Sequence, residues 1–563
     1  MQVVEAIAAA IKAEGVTTAF CVPDEVTIHV GEALRQAGVR VVRSRHEQNA
    51  VAMADGYARG CGRPAICSVG HGPALAQVGT ALMTAVRRRS PVLVLSPQGE
   101  RARGNVKEFD ARRFAENCGA RYVEMRGRSF VAEDVHEGFR LALLRKGPVV
   151  LGIPRLAEIN AEIPGQWEYE PALDVSSVRV VPDPACDAID ELAGALAWAR
   201  KPVIVAGRGA VASGAGRQIE ALADRVGALL ATSLQGRELF RDHPRNIGMI
   251  GSYGSEAGVE LLAEADCILA VGVALNFYQT GGGTLAANAR VLQIDDDPER
   301  IGSIARVASA VIADARTAVE AINAALEAAE IVNESAWTSD AMRERIAAAA
   351  RRTPPGEPDL DEHGRLPMTP ILSALDALLP AERVVIADAG DFVLYTIDQI
   401  AVPDPTSWVW TADFGSIGMG LGIGLGMALA RPDRHCVLFA GDGGFAMSLQ
   451  ELETAARERL PLTMVVLDDR AYRPEARYMQ ALGKPADMAF FDEVDFAAVA
   501  RAFGIPAVTV RALADLDPVA ELIANREGPI LIDAKVSGTE QHRSSAAYEK
   551  GTMIPKLAAD AAT

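Results

Sequence analysis

Two acidic residues follow two short apolar segments in the last third of the chain. Cys436–Ala440 and Leu462–Leu467 are apolar runs of strand type, and Asp442 and Asp469 each stand two residues past one of them. The segment between, Phe445–Leu460, repeats apolar residues at helical spacing, which predicts one helix with an apolar face. A strand, a helix and a strand within about 30 residues predict a βαβ crossover with parallel strands. Both carboxylates are therefore expected at the edge of a parallel sheet where ligands bind.

A glycine turn surrounds the first carboxylate and suits a bound diphosphate. Gly441, Gly443 and Gly444 flank Asp442, and glycines let the backbone approach phosphate oxygens at the start of a helix. Carboxylates bind Mg²⁺, whose remaining oxygen ligands come from phosphate and water. A short glycine motif alone is more typical of a tight turn followed by solvated acids. The crossover between Asp442 and Asp469, which stand 27 positions apart, favours the diphosphate and cation site.

The segment from Gly441 onward resembles the thiamine diphosphate motif of the acetolactate synthase and pyruvate decarboxylase superfamily. That motif is Gly-Asp-Gly, a crossover and then Asn-Asn, and QELETAARERLPLTMVVL is similar to it nearly residue for residue. The resemblance implies thiamine diphosphate and Mg²⁺ as cofactors, with the side chains of Asp442 and Asp469 and the carbonyl of Ala471 as metal ligands. This chain has Asp468-Asp469 in place of the Asn pair. The added negative charge predicts a raised requirement for Mg²⁺.

Two further segments resemble the family's cofactor-binding turns. Residues 384–392, VVIADAGDF, end a strand in a small-residue turn suited to diphosphate oxygens. Residues 411–430 resemble the pyrimidine-binding turn, in which Gly415 would accept from the 4′-amino group and Ile417 would support the bent cofactor. A glycine-rich helix packed closely against a sheet explains residues 411–430 as well. The implied cofactor-binding set is Glu47, Gly390, Asp391, Phe392, Gly415, Ile417, Gly441, Asp442, Gly443, Gly444, Asp469 and Tyr472.

Glu47 stands where a strand runs into a helix, in VVRSRHEQNAVAMADGYARG. A lone glutamate at such a junction is usually a capping charge. The segment resembles the family's cofactor-activating sequence, in which this glutamate contacts the aminopyrimidine ring and promotes loss of the thiazolium C2 proton. Proton exchange near neutral pH requires a raised glutamate pKa, most simply through burial.

Two residues near the start of the chain are candidates for proton transfer. Residues 21–30 resemble the corner at which the family's decarboxylases place an acid, which indicates Glu25 or Asp24; helix capping is the alternative. His71 stands between glycines in SVGHGPALA, similar to the family's Gly-Pro-Gly turn. It is either a proton donor or a solvated turn residue.

Glu475 is a third candidate, 33 positions beyond Asp442. This spacing matches the catalytic glutamate of the family's decarboxylases. Arg473 and Pro474 replace the usual small residues and predict a displaced helix start. An ordinary exposed glutamate on a helix is the alternative.

Alternating helices and short apolar strands predict an α/β fold of three doubly wound parallel sheets. We expect a pyrimidine-binding domain at 1–165, a central domain at 180–335 and a diphosphate-binding domain at 365–545, joined by linkers at Pro164–Pro184 and Glu330–Pro367. The strands predicted in the first two domains are Thr17–Val22, Val39–Ser44, Ala65–Val69, Pro91–Leu95, Pro148–Ile153, Val203–Ala206, Leu229–Ala231, Cys267–Val271 and Val291–Ile294.

The central domain carries no specific cofactor signature. In some relatives this domain binds FAD or a nucleotide, so FAD is a possible ligand that no residue pattern here supports. Asp295–Asp297 follow a strand and are interpreted as an acidic turn rather than a metal cluster.

Composition limits the partners and the compartment. The net charge of −18 argues against nucleic acid and anionic membranes. The seven cysteines are odd in number and lack CxxC spacing, which predicts reduced thiols in a cytosol. Apolar runs are too short to span a membrane, and MQVVEAIAAAIKAEGV is an amphipathic helix rather than a signal peptide. We therefore expect a cytoplasmic protein.

The resemblance covers the whole chain and implies an enzyme. In the family, the first domain of one subunit faces the third domain of another, which implies a homodimer or homotetramer with shared sites. The predicted activity is decarboxylation or carboligation of a 2-oxo acid or aldehyde, similar to acetolactate synthase. A C–C bond lyase of 2-hydroxyacyl-CoA or acyloin type is one alternative. A catalytically silent, cofactor-binding subunit is another.

Overall fold

The computed structural model describes residues 1–99, 104–172, 179–183, 186–333, 335–349 and 360–545. These residues form three six-stranded sheets in which all strands run parallel, with helices between successive strands. The predicted α/β class with three parallel sheets is confirmed. The inner strands are buried along their whole length, which is why they appear in the sequence as continuous apolar runs.

The first sheet is built from the N-terminal part of the chain. Its strands are β1 Thr18–Cys21, β2 Arg40–Arg43, β3 Ala65–Ser68, β4 Val92–Pro97, β5 Arg121–Glu124 and β6 Val149–Ile153. Its helices are α1 Val3–Ala13, α2 Thr27–Gln36, α3 Glu47–Cys61, α4 Pro73–Ala76, α5 Gly79–Arg88, α6 Ala111–Asn117, α7 Val131–Leu144 and α8 Leu156–Ile159. The strand order is β2-β1-β3-β4-β6-β5.

The central sheet follows. Its strands are β7 Pro202–Ala206, β8 Leu229–Thr232, β9 Asn246–Met249, β10 Cys267–Val271, β11 Arg290–Asp295 and β12 Ser309–Ile312. Its helices are α9 Asp187–Trp198, α10 Arg208–Ser213, α11 Gly216–Val226, α12 Glu256–Ala263, α13 Phe277–Thr280, α14 Ala315–Ala328 and α15 Asp340–Ala349. The strand order β12-β11-β10-β7-β8-β9 is that of dinucleotide-binding folds.

The third sheet closes the described chain. Its strands are β13 Arg383–Ala387, β14 Trp408–Trp410, β15 His435–Gly441, β16 Leu462–Asp468, β17 Ala507–Val510 and β18 Ile530–Lys535. Its helices are α16 Met368–Leu378, α17 Phe392–Gln399, α18 Gly420–Ala430, α19 Asp442–Ala446, α20 Glu451–Arg457, α21 Arg473–Ala481, α22 Phe496–Ala502 and α23 Asp517–Ala524. The order β14-β13-β15-β16-β18-β17 repeats the pattern of the first sheet.

The first and third sheets are joined through two glycine-bearing helices. α3 and α18 cross so closely that a Cβ on Gly56 would lie 2.1 Å from the Ile423 carbonyl oxygen. A Cβ on Gly426 would lie 2.0 Å from the Met53 carbonyl oxygen. The glycine-rich helix predicted to pack on a sheet therefore packs on both a sheet and a helix, and one hydrophobic core spans the two domains.

Two predictions about individual segments are wrong. Phe445–Leu460 is not one helix, because α19 ends at Ala446 and α20 begins at Glu451. Between them, the buried Ser448 hydroxyl donates to the Gly418 carbonyl at 2.8 Å, a tertiary contact that turns the chain. The second predicted linker contains a helix, α15, whose Ile346 is buried in the central domain.

In the described ranges, no helix has the length and the apolar composition needed to cross a membrane. The seven cysteines are free thiols, and five of them are buried.

Candidate active site

A cavity of about 2160 Å³ runs from the carboxyl edge of the third sheet to the carboxyl edge of the central sheet. Its wall in the third domain brings together all residues predicted there, namely Gly390, Asp391, Phe392, Gly415, Ile417, Gly441, Asp442, Gly443, Gly444, Asp469, Ala471, Tyr472 and Glu475. β15 and β16 are neighbours in register. The crossover therefore delivers Asp442 and Asp469 to one edge.

The carboxylates at this edge are buried, and Asp442 lies within the electrostatic reach of two other aspartates. Asp442 and Asp469 are each 7% exposed. Burial, followed by the nearby charges of Asp469 and Asp468, raises the pKa of Asp442 well above its ordinary value. Burial also raises the pKa of Asp469, and the Arg473 guanidinium opposes that rise. A divalent cation placed here would relieve this repulsion.

The turn after β16 presents a backbone carbonyl beside these carboxylates. Arg470 adopts a left-handed φ of 59°, a conformation that non-glycine residues rarely take. The bonds that hold this turn use the amide of Tyr472 and the carbonyl of Arg470, so they leave the Ala471 carbonyl for another partner. Among the described residues no three acidic, histidine or cysteine side chains form a metal cluster by themselves. A cation would thus need further oxygens, which Mg²⁺ takes from phosphate and water.

The glycine turn leaves room for a ligand only because it lacks side chains. A Cβ on Gly443 would lie 2.4 Å from the Tyr472 ring. Gly390 has a φ of 151°, and its Cβ would lie 2.6 Å from the Phe392 ring. Both positions therefore require glycine, because a side chain there would meet an aromatic ring.

Asp388 connects the end of β13 to the turn that carries Gly415 and Ile417. Its buried carboxylate accepts from the amide of Gly418 at 2.9 Å and from the hydroxyl of Thr411 at 3.0 Å. Burial raises its pKa, and these hydrogen bonds oppose that rise. Gly415 has a φ of 85° in this turn. The sequence analysis missed Asp388, although an aspartate directly after a strand was a signal for it.

Comparison with protein-family models decides the family. Three models match: "Thiamine pyrophosphate enzyme, N-terminal TPP binding domain" at residues 1–114, the central domain of the same enzymes at 189–322, and their "C-terminal TPP binding domain" at 388–534. The chain belongs to the thiamine diphosphate-dependent enzymes of acetolactate synthase and pyruvate decarboxylase type. The two matched TPP-binding domains support thiamine diphosphate as its cofactor.

Relatives named as enzymes of this superfamily align with nearly the whole chain. A probable acetolactate synthase large subunit from Methanocaldococcus jannaschii is 27% identical over 566 residues, covering 96% of this chain and 93% of the relative. A sulfoacetaldehyde acetyltransferase from Castellaniella defragrans is 27% identical, covering 91% and 89%. The acetolactate synthase isozyme 2 large subunit from Escherichia coli is 26% identical, covering 94% and 95%.

In this thiamine diphosphate-dependent enzyme, Glu47 is the half-buried first residue of α3. It is not among the described residues that line the cavity of its own chain. The loop that precedes it is held by Glu451 of the third domain. One oxygen of that buried carboxylate accepts from the Ser44 hydroxyl and from the amides of Arg45 and His46, each at 3.0 Å.

Glu25 and His71 also lie outside the described wall of the cavity. Asp24 accepts from the amides of Val26 and Thr27, at 2.9 and 2.7 Å, so Asp24 is the capping residue of this corner. The Glu25 side chain is 61% exposed and pairs with Lys107 at 3.2 Å. The half-buried His71 ring packs edge-on against Phe109, and burial lowers its pKa. The structure thus distinguishes the two acids that the sequence indicated: Asp24 caps the corner, and Glu25 is exposed.

Glu475 is exposed on the first turn of α21, at the cavity wall. α21 begins at Arg473, with Pro474 in its first turn, where proline is tolerated. Arg473 pairs with Asp469 at 2.5 Å, and Arg477, one turn later, pairs with Asp391 at 3.1 Å. The sequence analysis noted Arg473 only as a departure from the family pattern and missed Arg477.

Half-buried basic side chains line the central arm of the cavity. Burial, with a further contribution from Arg88, lowers the pKa of Arg208 to about 9. Burial also lowers the pKa of Arg88. Both line the arm where it passes the carboxyl edge of the central sheet. This part of the cavity therefore favours an anionic ligand.

The acidic turn Asp295–Asp297 is held by basic neighbours. Asp296 pairs with Arg89 at 2.8 Å and with Lys146. Asp297 pairs with Arg300 at 3.4 Å. These ion pairs agree with the interpretation of the segment as an acidic turn.

Proposed function

We propose that the chain is a thiamine diphosphate- and Mg²⁺-dependent enzyme that decarboxylates a 2-oxo acid, joins the product to a second carbonyl, or does both. The observation that carries this proposal is the pair of buried carboxylates, Asp442 and Asp469, beside a glycine turn in the cavity. Their repulsion makes the edge a site for a cation, and the glycine backbone at the start of a helix suits the diphosphate that brings it.

The third domain would hold the diphosphate end of the bound cofactor and would form part of its pyrimidine site. Asp442, Asp469 and the Ala471 carbonyl would bind Mg²⁺, and Gly441 to Gly444 would receive the diphosphate. Gly415 and Ile417 would position the pyrimidine. When bound, thiamine diphosphate supplies a carbon nucleophile that adds to a carbonyl and stores the electrons released when a C–C bond breaks.

Glu47 would hold and move the proton at the aminopyrimidine nitrogen. Since Glu47 lies off the cavity of its own chain, we propose that a second copy brings its first domain to this cavity. The assembly would be a homodimer or a homotetramer in which each site takes Glu47 from one subunit and Asp442 from another.

Glu25, His71 and Glu475 would serve proton transfer during the later steps. Glu475 lies at the wall of the cavity, whereas Glu25 and His71 would arrive with the partner's first domain. An acid near the reacting carbon can protonate it after CO₂ leaves, which favours simple decarboxylation. The names of the relatives, acetolactate synthase and sulfoacetaldehyde acetyltransferase, favour transfer of the two-carbon unit to another acceptor.

The test is CO₂ release from a panel of 2-oxo acids, with thiamine diphosphate and Mg²⁺ present. The expected result is release from at least one acid that disappears without Mg²⁺ and in Asp442→Asn. Analysis of the organic product by NMR then separates an aldehyde from a carboligation product. If the protein binds the cofactor but turns over no substrate of any class, the silent-subunit alternative holds instead.

A second candidate function is C–C cleavage of a 2-hydroxyacyl-CoA. The observation that favours it is the pair of half-buried guanidinium groups, Arg88 and Arg208, that line the central arm of the cavity. Guanidinium groups bind phosphate oxygens in a bidentate manner, so this arm suits the nucleotide end of a CoA ester. Calorimetry with ADP tests it: binding that is lost in Arg208→Ala supports the arm as a nucleotide site, and no heat with wild type contradicts it.

A further inference from the structure

Arg473 and Lys535 give the chain its own counter-charges for the two aspartates that depart from the family's Asn pair. Lys535 is 1% exposed, and its ammonium group lies 2.6 Å from Asp468 Oδ2 and 2.9 Å from Asp533 Oδ2. Asp468 uses its other oxygen, Oδ1, to accept from the Arg470 amide at 3.1 Å. Both oxygens of Asp468 are thus engaged inside the protein, away from the cavity.

Asp469 is paired differently, because it lines the cavity. Arg473 Nε donates to Asp469 Oδ2 at 2.5 Å, and Nη2 donates to the Asp469 carbonyl at 2.9 Å. One guanidinium therefore engages a single carboxylate oxygen and the backbone of the same residue. Neither of these two hydrogen bonds uses Asp469 Oδ1, and Asp469 lines the cavity.

The guanidinium of Arg473 lies in a slot that fixes its position. The Phe490 ring is 5.4 Å away on one side. On another side the backbone of Gly538 approaches so closely that a Cβ there would lie 1.9 Å from Nη2. The Arg473 side chain is only 13% exposed and lies one turn from Asp469. Because it is already confined, it loses little conformational entropy when it forms the pair.

We infer that Asp469 and Arg473 act as one unit that reproduces the charge of the family's asparagine at the cation site. Arg473 is a positioning residue: it neutralises Asp469 and directs Oδ1 to the cation. Of the two candidate side-chain ligands, Asp442 is then the one that has no basic partner among the described residues. The raised Mg²⁺ requirement expected from the sequence should therefore be absent. This inference rests on the proposed cofactor site.

The test is a double-mutant cycle in cofactor binding. Wild type, Asp469→Asn, Arg473→Gln and the double variant are titrated with Mg²⁺ at fixed thiamine diphosphate, and binding is followed by tryptophan fluorescence and calorimetry. Asp469→Asn alone leaves a guanidinium unpaired beside the cation, so the Mg²⁺ concentration at half-saturation should rise about tenfold. The double variant should return to within about threefold of wild type. Arg473→Lys keeps the charge and should stay closer to wild type than Arg473→Gln.

A matched control is the exposed pair Arg316 and Glu320, which has the same spacing on α14. Arg316→Gln with Glu320→Gln should leave the Mg²⁺ titration unchanged. The inference is wrong if the effects of Asp469→Asn and Arg473→Gln on the Mg²⁺ titration are additive, or if Asp469→Asn binds Mg²⁺ as well as wild type does. Either result would leave the proposed cofactor site standing. If wild type shows no Mg²⁺-dependent binding at all, the proposed function fails, and the inference fails with it.

Discussion

Glu47, Asp442 and Asp469 are all carboxylates, yet their surroundings assign them different chemistry. Asp442 and Asp469 are nearly inaccessible and repel one another, which suits a cation. Glu47 begins a helix after His46, whose ring accepts from the Gln48 amide and so takes over the capping role. Because the His46 ring caps the helix, helix capping does not explain the presence of Glu47.

Glu47→Gln should keep the binding of thiamine diphosphate and Mg²⁺ but slow exchange of the cofactor C2 proton. The amide cannot accept and return a proton, so we expect a loss of about a hundredfold or more. The measurement is deuterium incorporation at C2 by NMR after acid quench. Glu32→Gln, an exposed substitution on α2, is the control and should exchange as wild type does. Unchanged exchange in Glu47→Gln would contradict the role.

The sequence predicted the residues of the site that are close to a glycine turn, and it missed those that act through distant partners. Asp388, Glu451 and Lys535 are examples. Glu451 accepts from residues more than 400 positions away, and Lys535 balances two aspartates on adjacent strands. Such partners become visible only when the strands are placed side by side.

At the scale of elements, the two glycine-bearing helices fix how the first and third domains meet. α3 carries Glu47 at its start, and α18 follows the turn with Gly415. Their close crossing, together with the Glu451 clamp, fixes the start of α3 on the third domain. The loop before Glu47 therefore has little freedom to move.

Glu451→Ala should slow C2 exchange with little change in cofactor affinity. The substitution removes the acceptor of the Arg45 and His46 amides, at a cost of about 1–3 kcal/mol. Glu451→Gln retains one acceptor oxygen and should lose much less. The measurement is deuterium exchange at C2 beside calorimetric binding. Equal exchange in wild type and Glu451→Ala would show that the clamp does not position Glu47.

Gly56→Ala should destabilise the protein, because its methyl group would meet the Ile423 carbonyl and force the helices apart. Overpacking of this kind costs about 1–3 kcal/mol or more. Gly194→Ala in α9 is the matched control, since its Cβ meets nothing within 4 Å and alanine is the better helix former by about 1 kcal/mol. Thermal unfolding of both variants is the measurement. A Gly56→Ala variant as stable as Gly194→Ala would mean that the crossing is looser than described.

The strands that the sequence analysis missed are nearly all at sheet edges. β5, β9, β12, β14 and β17 each lie at the end of a sheet or carry exposed positions, so their sequences are not continuous apolar runs. β18 is an inner strand that apolar patterning misses for a different reason. Its Asp533 and Lys535 are charged, but they are fully buried as a pair. Apolar periodicity finds inner strands and cannot find these.

At the scale of the whole molecule, the proposed function requires that two copies of the chain contribute residues to each active site. The first domain of one chain holds Glu47, Glu25 and His71 away from the cavity that contains Asp442. If Glu47 acts on the bound cofactor as we propose, a second chain has to supply it. The domain limits of 1–165, 180–335 and 365–545, the assembly and the compartment stay predictions.

The measurement that tests this claim most directly is complementation between two defective chains. Glu47→Gln and Asp442→Asn are coexpressed in equal amounts, and C2 proton exchange of bound thiamine diphosphate is followed by NMR. About half of the pairs should be mixed, and each mixed pair has one intact site, so exchange should recover to about a quarter of wild type. Each variant alone should exchange almost nothing. If mixed pairs are isolated through two affinity tags and still do not exchange, then Glu47 and Asp442 do not meet across subunits.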